Sequence, residues 1–243
     1  MPRRAGAIPP LLREPLPQLD IEVDSPRMLD LFPSATGPLA LVGNAPGLDA
    51  AAAIDAASCI VRFNNAPGCG GRAGARVTHL ALVNRGGQMR EWLADPHFLD
   101  RPVVRRAEAF ILPFPMLPAE QNRPEPICWT REALDRLAPL GKPIHILPED
   151  LHRAARLRLA ALTPEPGADA PNADEPGPAG RPNPSTGFLV TLAFLLGRPL
   201  GRGPVAAHGF GFDGWPGHPW TAERAWFRQA EAAGQLRLHP CRP

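Results

Sequence analysis

The chain has 243 residues, 44% of them apolar, and a net charge of +2 with both signs mixed along its length. This suits one α/β domain with a full core. It excludes the basic stripe of a nucleic-acid binder, and no run of 18 apolar residues offers a membrane span.

The elements follow in chain order. Residues 1–37 read as a poorly ordered lead-in, with a short helix near Arg27 to Phe32. Prolines break "MPRRAGAIPPLLREPLPQLD" throughout, and it holds no apolar stretch of signal length. Leu39 to Val42 is a short apolar run ending in Gly43, the pattern of a buried parallel strand entering a turn. "LDAAAAIDAAS" is a helix, "CIVRFN" a strand, Thr78 to Asn84 a third strand and "QMREWLADPHF" a helix. "AEAFILPF" and "KPIHILP" are strands flanking the helix "REALDRLAPLG", which stops at Gly141. "EDLHRAARLRLAAL" is a helix with its basic face exposed, followed by a flexible Pro/Gly-rich insertion at 164–182. Phe188 to Leu196 is an apolar helix, "GPVAAHGFGFD" a strand with a glycine-rich exit, "TAERAWFRQAEAAG" a helix and "QLRLH" a last strand.

Strands and helices alternate. The fold expected is α/β: a mostly parallel, Rossmann-like sheet with helices on both faces, as a single domain over 38–243. Ligands of such sheets bind beyond the carboxyl ends of the strands. Cys59, Cys69, Cys128 and Cys241 show no metal-ligand or CxxC spacing, so a reduced, cytoplasmic protein is expected.

Four stretches carry polar chemistry at such ends. In "LVGNAPGLD", Gly43 lets backbone approach a ligand and the next helix start favours anions; a tight turn with a helix cap is the plainer reading of this stretch alone. The spacing is not GxGxxG, and no acidic residue ends the second strand, which argues against a dinucleotide. In "VRFNNAPG", Asn64 and its neighbours offer donors and acceptors suited to a base edge or sugar hydroxyls; an Asx-turn with a solvated arginine is the plainer reading. In "NPSTGFLV", Ser185, Thr186 and Gly187 either cap a helix or cradle a phosphate or carboxylate. In "GFGFDGWPGHPWTAERAW", His218 is of the residue type used as a general base near neutral pH, though a lone loop histidine is more plainly read as solvated, and Glu223 either orients it or is helix surface.

Taken in order, these stretches resemble the animal-type sialyltransferases, glycosyltransferase family 29. Residues 41–79, "LVGNAPGLDAAAAIDAASCIVRFNNAPGCGGRAGARVTH", resemble the family's long motif. Pro184 to Gly187 with Gly209 to Gly211 resemble its short motif, and His218 with Glu223 its final one. The match covers about a third of the chain.

The resemblance implies a variant GT-A glycosyltransferase fold, a CMP-activated sialic acid or related keto-acid sugar as donor, an unknown glycan acceptor, and inverting transfer without a metal ion or other cofactor. It implies that Asn44 and Asn64 contact the CMP part and that Ser185, Thr186 and Gly187 line its phosphate and carboxylate side. Gly43 and Gly211 would let backbone approach the nucleotide. His218 would remove the acceptor's proton, and Glu223 would support that region. The chain departs from the family twice. The family's motif-linking disulfide is missing, since the matching positions fall near Leu39 and Arg198, and no aromatic-histidine motif is recognisable in "GWPG". A nucleotide-binding accessory protein that kept the fold is the alternative, with a Rossmann oxidoreductase or methyltransferase behind it.

Overall fold

The computed structural model describes residues 37–117, 128–163, 183–197 and 203–241. The expected lead-in helix and the 164–182 insertion lie outside the described residues. Seven strands form one sheet: β1 (Leu39–Val42), β2 (Cys59–Phe63), β3 (His79–Ala81), β4 (Ala109–Leu112), β5 (Ile144–Ile146), β6 (Val205–His208) and β7 (Leu236–His239). Their order is β5-β4-β3-β2-β1-β6-β7, and every pairing is parallel.

The helices are α1 (Ala51–Asp55), α2 (Gly86–Ala94), α3 (Pro102–Arg106), α4 (Thr130–Leu137), α5 (Glu149–Ala160), α6 (Thr186–Leu196) and α7 (Trp220–Ala232). Most expected elements are present within a few residues. Two differ. "LDAAAAIDAAS" yields only the five helical residues of α1, because Ala57 and Ser58 already turn toward β2, Ser58 donating its N–H to Pro38. The short α3 was not expected; Pro102 at its first turn supplies the helical φ and lacks only an N–H that the helix would leave unused. Along α5 the basic face is only partly exposed: Arg153 is open, whereas Arg156 and Arg158 are half-buried.

The two-residue period of the strands builds two cores. Leu39, Leu41, Val61, Ile111 and Ala207 face one side, where α5, α6 and α7 pack. Ala40, Val42 and Ile60 face the other with Ile54 of α1, and Leu80, Phe110 and Leu112 meet α2, α3 and α4 there. Helix α6 is apolar on nearly every side, as suits a helix enclosed by its neighbours. Phe188, Phe194, Trp226 and Phe227 are fully buried, each contributing about 1.5–3 kcal/mol by removal from water.

The chain lays down β1 to β5 in one direction, then returns to place β6 on the other side of β1. The switch point therefore lies between β1 and β6, where an open α/β sheet leaves a crevice at its carboxyl edge.

Candidate functional site

At the switch point two glycines meet. Val42 pairs with His208, so Gly43 and Gly209 leave the sheet side by side. Gly43 donates its N–H to His208 O at 2.7 Å, and Ala45 donates to Gly209 O at 3.0 Å. A Cβ on Gly43 would stand 2.3 Å from Gly209 O, and Gly209 has φ +69°. Glycine is required at both positions for the strand exits to approach this closely.

Above this contact opens a pocket of about 410 Å³, within the usual range for small-ligand sites. All nine residues singled out from the sequence line it: Gly43, Asn44, Asn64, Ser185, Thr186, Gly187, Gly211, His218 and Glu223. They come from the exits of β1, β2 and β6, the start of α6, and the approach to α7 and its first turn.

The two asparagines are held by one end each. Asn44 donates Nδ2–H to Phe63 O at 3.1 Å, and Asn64 Oδ1 accepts the Val83 N–H at 2.9 Å. Asn64 stands at φ +54°, a conformation Asn tolerates better than most residues. Oδ1 of Asn44 and Nδ2 of Asn64 have no hydrogen bond among the described residues, so one acceptor and one donor remain at the pocket. Arg62, just before them, is not solvated. It is 1% exposed, and its guanidinium donates to the carbonyls of Arg76, Ala73 and Gly74, pinning the 66–77 loop against the strand.

At α6, Ser185 forms the cap: its Oγ accepts the Phe188 N–H at 3.1 Å. Its hydroxyl donates to Glu223 Oε2 and its N–H to Glu223 Oε1, both at 2.7 Å. The Ser185 hydroxyl is therefore committed within the protein. What the helix start leaves for a ligand are the N–H groups of Thr186 and Gly187, which have no intrahelical acceptor, together with the positive end of the helix dipole. Glu223 is 1% exposed, and burial pushes its carboxyl up to about 7, against the lowering effect of Ser185's two hydrogen bonds. It is neither helix surface nor the hydrogen-bonded orienter of His218.

The imidazole is oriented by Asn183 instead, whose carbonyl lies 2.8 Å from His218 Nδ1. A carbonyl only accepts, so Nδ1 carries the proton and Nε2 holds the lone pair. Burial lowers the pKa of His218 below the ordinary value, with the bond to Asn183 acting the other way. The ring is thus neutral near pH 7 and carries its basic nitrogen where a hydroxyl proton could be accepted. Trp215 and Trp220 flank it edge to face, at centroid distances of 4.9 and 5.0 Å.

Sequence reasoning missed Asn183, Trp215 and Trp220. The spacing of Trp215, His218 and Trp220 in "GWPGHPW" was a usable signal, since two large aromatics beside a loop histidine favour enclosure over solvation. The role of Asn183 had none, because it acts through a backbone oxygen. No group of three His, Cys, Asp or Glu that could hold a metal occurs among the described residues, nor is any helix there long and apolar enough to cross a membrane.

Sheet order and helical layers define an α/β protein of sialyltransferase-like fold. The likeness is to a mammalian sialyltransferase known from its crystal structure, with a TM-score of 0.50 and 16% identity, spanning 90% of this chain and 79% of that one. In sequence the chain is similar to the urease operon 23 kDa accessory protein of Rhizobium meliloti (strain 1021). The two are 25% identical over 213 residues, 82% of this chain and 92% of the relative. No family model matches.

Proposed function

We propose that the protein is a glycosyltransferase of the family 29 kind. It transfers a sialic acid or related keto-acid sugar from a CMP-activated donor to a glycan hydroxyl, with inversion and without a metal ion. One observation carries the reading: in a sialyltransferase-like fold, His218 lines the same switch-point pocket as Asn44, Asn64 and the start of α6, with Nε2 as its basic nitrogen.

On this reading Asn44 and Asn64 offer the cytidine an acceptor and a donor. Thr186 and Gly187 N–H groups face the phosphate, whose negative charge grows as its bond to the sugar breaks. A well-placed donor to such developing charge is worth about 3 kcal/mol of barrier. Ser185 and Glu223 act behind them by fixing the helix start. The acceptor hydroxyl loses its proton to Nε2 of His218 as its oxygen attacks the sugar carbon on the face opposite the departing CMP.

The test is a thermal-shift panel of CMP, CDP, UMP, UDP, NAD and S-adenosylmethionine, since a ligand that binds the folded state raises its melting point. Stabilisation by CMP above the others supports the reading; stabilisation by NAD or S-adenosylmethionine alone overturns it.

A second reading has its own support. The relative from Rhizobium meliloti is named for an accessory role, and the aromatic-histidine motif is not recognisable here. A protein of this kind would bind the nucleotide and catalyse no transfer. Stable CMP binding with no hydrolysis or transfer across a broad acceptor panel selects it.

A further inference from the structure

Trp215 is 57% exposed, the most open of the large apolar side chains among the described residues. A single exposed apolar side chain is ordinary on a protein surface and by itself marks no site. Yet the ring is not loose. A Cβ on Gly217 would fall 2.2–2.5 Å from three atoms of the indole's benzo ring, so that side of the tryptophan is pressed on glycine backbone. Its carbonyl is tied down as well, accepting the Trp220 Nε1–H at 3.0 Å and the His218 N–H at 3.2 Å. The ring lies edge to face with His218 at a centroid distance of 4.9 Å. An indole fixed from behind and open in front therefore stands at the pocket rim, beside the imidazole.

What would cover it must suit both neighbours. A purely apolar ligand would waste the basic nitrogen of His218, and a charged one would gain nothing from the indole's open side unless it were a cation. A pyranose fits both. One of its faces carries several C–H groups, whose slight positive charge meets the negative face of the indole, while hydroxyls project around its edge.

We propose that Trp215 is the platform for the acceptor sugar: a pyranose ring stacks through its C–H face on the open side of the indole and presents a hydroxyl to Nε2 of His218. This deepens the glycosyltransferase reading above and rests on it. It also gives Gly217 a role, since any side chain there would push the platform out of place.

The test is saturation-transfer NMR on the full chain with CMP present. Methyl β-D-galactopyranoside and methyl β-D-glucopyranoside serve in turn as probes, against wild type, Trp215→Ala, Trp215→Phe and Gly217→Ala. The CMP-induced melting shift is recorded for each variant. In wild type, ring C–H protons of at least one pyranoside take up saturation. That signal falls about tenfold in Trp215→Ala and Gly217→Ala, the loss expected for one stacked aromatic, and is partly kept in Trp215→Phe. The CMP shift stays as in wild type throughout. Undiminished saturation in Trp215→Ala overturns the proposal, as does silence from both pyranosides on the CMP-bound protein. A pyranoside signal that CMP displaces also overturns it, because the indole would then belong to the nucleotide. Absence of any CMP shift in wild type strikes the functional reading instead, and a Trp215-dependent pyranoside signal would survive it as a sugar site.

Discussion

Glu223 and Ser185, 38 residues apart, are joined by two hydrogen bonds of 2.7 Å, one to the serine N–H and one to its hydroxyl. The pair fastens the start of α6 to α7 beneath the candidate pocket. Glu223→Ala removes both acceptors and leaves two buried donors unpaired, a loss of about 2–5 kcal/mol. Glu223→Gln keeps a carbonyl acceptor and loses less. Urea unfolding of the two variants and wild type checks this; a Glu223→Ala protein as stable as wild type would show that the clamp contributes nothing.

The same carboxyl makes stability depend on pH. Its folded pKa of about 7 lies above its ordinary 4.5, so between these values the folded protein holds a proton that the unfolded chain has released. Stability from this group is full below pH 4.5 and is lost as pH rises toward 7, by at most about 1.4 kcal/mol per pH unit. His208 acts oppositely: burial and the stacked His239 lower it from 6.5 to about 4, so its share is full above 6.5 and lost as pH falls. Comparing Glu223→Gln with wild type isolates the carboxyl. The variant should gain on wild type steadily from pH 4.5 to 7. A constant difference across that window would mean that Glu223 titrates alike in both states.

His218→Ala tests the assigned base. Turnover should fall by about 10²- to 10⁴-fold, while CMP binding changes little, because the imidazole is fixed by Asn183 rather than by the nucleotide residues. The pH profile adds a second readout. With the pKa lowered by burial, activity should rise through a midpoint below 6.5 and level off above it. Unchanged turnover, or a midpoint above 6.5, removes His218 from that role.

The layout of the sheet was legible because it is written in local patterns. LALV, CIVRF and AFIL are runs buried on both faces and apolar but for Arg62, and each is followed by residues that break a strand. The convergence of Gly43, Asn64, Ser185 and His218 on one pocket followed from a different signal, motif order, since nothing local to any of the four specifies the others. Two features were not legible. Arg62 reads as a solvated strand-end residue, and only the folded 66–77 loop, closing over it with three carbonyls, makes it a buried clamp. Glu223 reads as helix surface or a histidine partner. Its pairing with Ser185 depends on where the start of α6 meets α7, which no spacing in the sequence encodes.

Gly43→Ala probes the switch point itself. The new Cβ would meet Gly209 O at 2.3 Å and Gly209 C at 2.8 Å, and both obstacles are backbone, so the exits of β1 and β6 must part. Overpacking of this kind costs about 1–3 kcal/mol. Because Asn44 follows directly, the shift also moves its carboxamide away from Phe63, and CMP affinity should drop by about tenfold or more for a loss of 1.4 kcal/mol in contact energy. Gly87→Ala is the matched control: nothing lies within 4 Å of its added Cβ, its φ is not positive, and it stands in α2, where alanine is the better helix former. That variant should be as stable as wild type or slightly more so, with CMP binding unaffected. If Gly43→Ala behaves like Gly87→Ala in both unfolding and CMP titration, the close backbone approach is not what shapes the pocket.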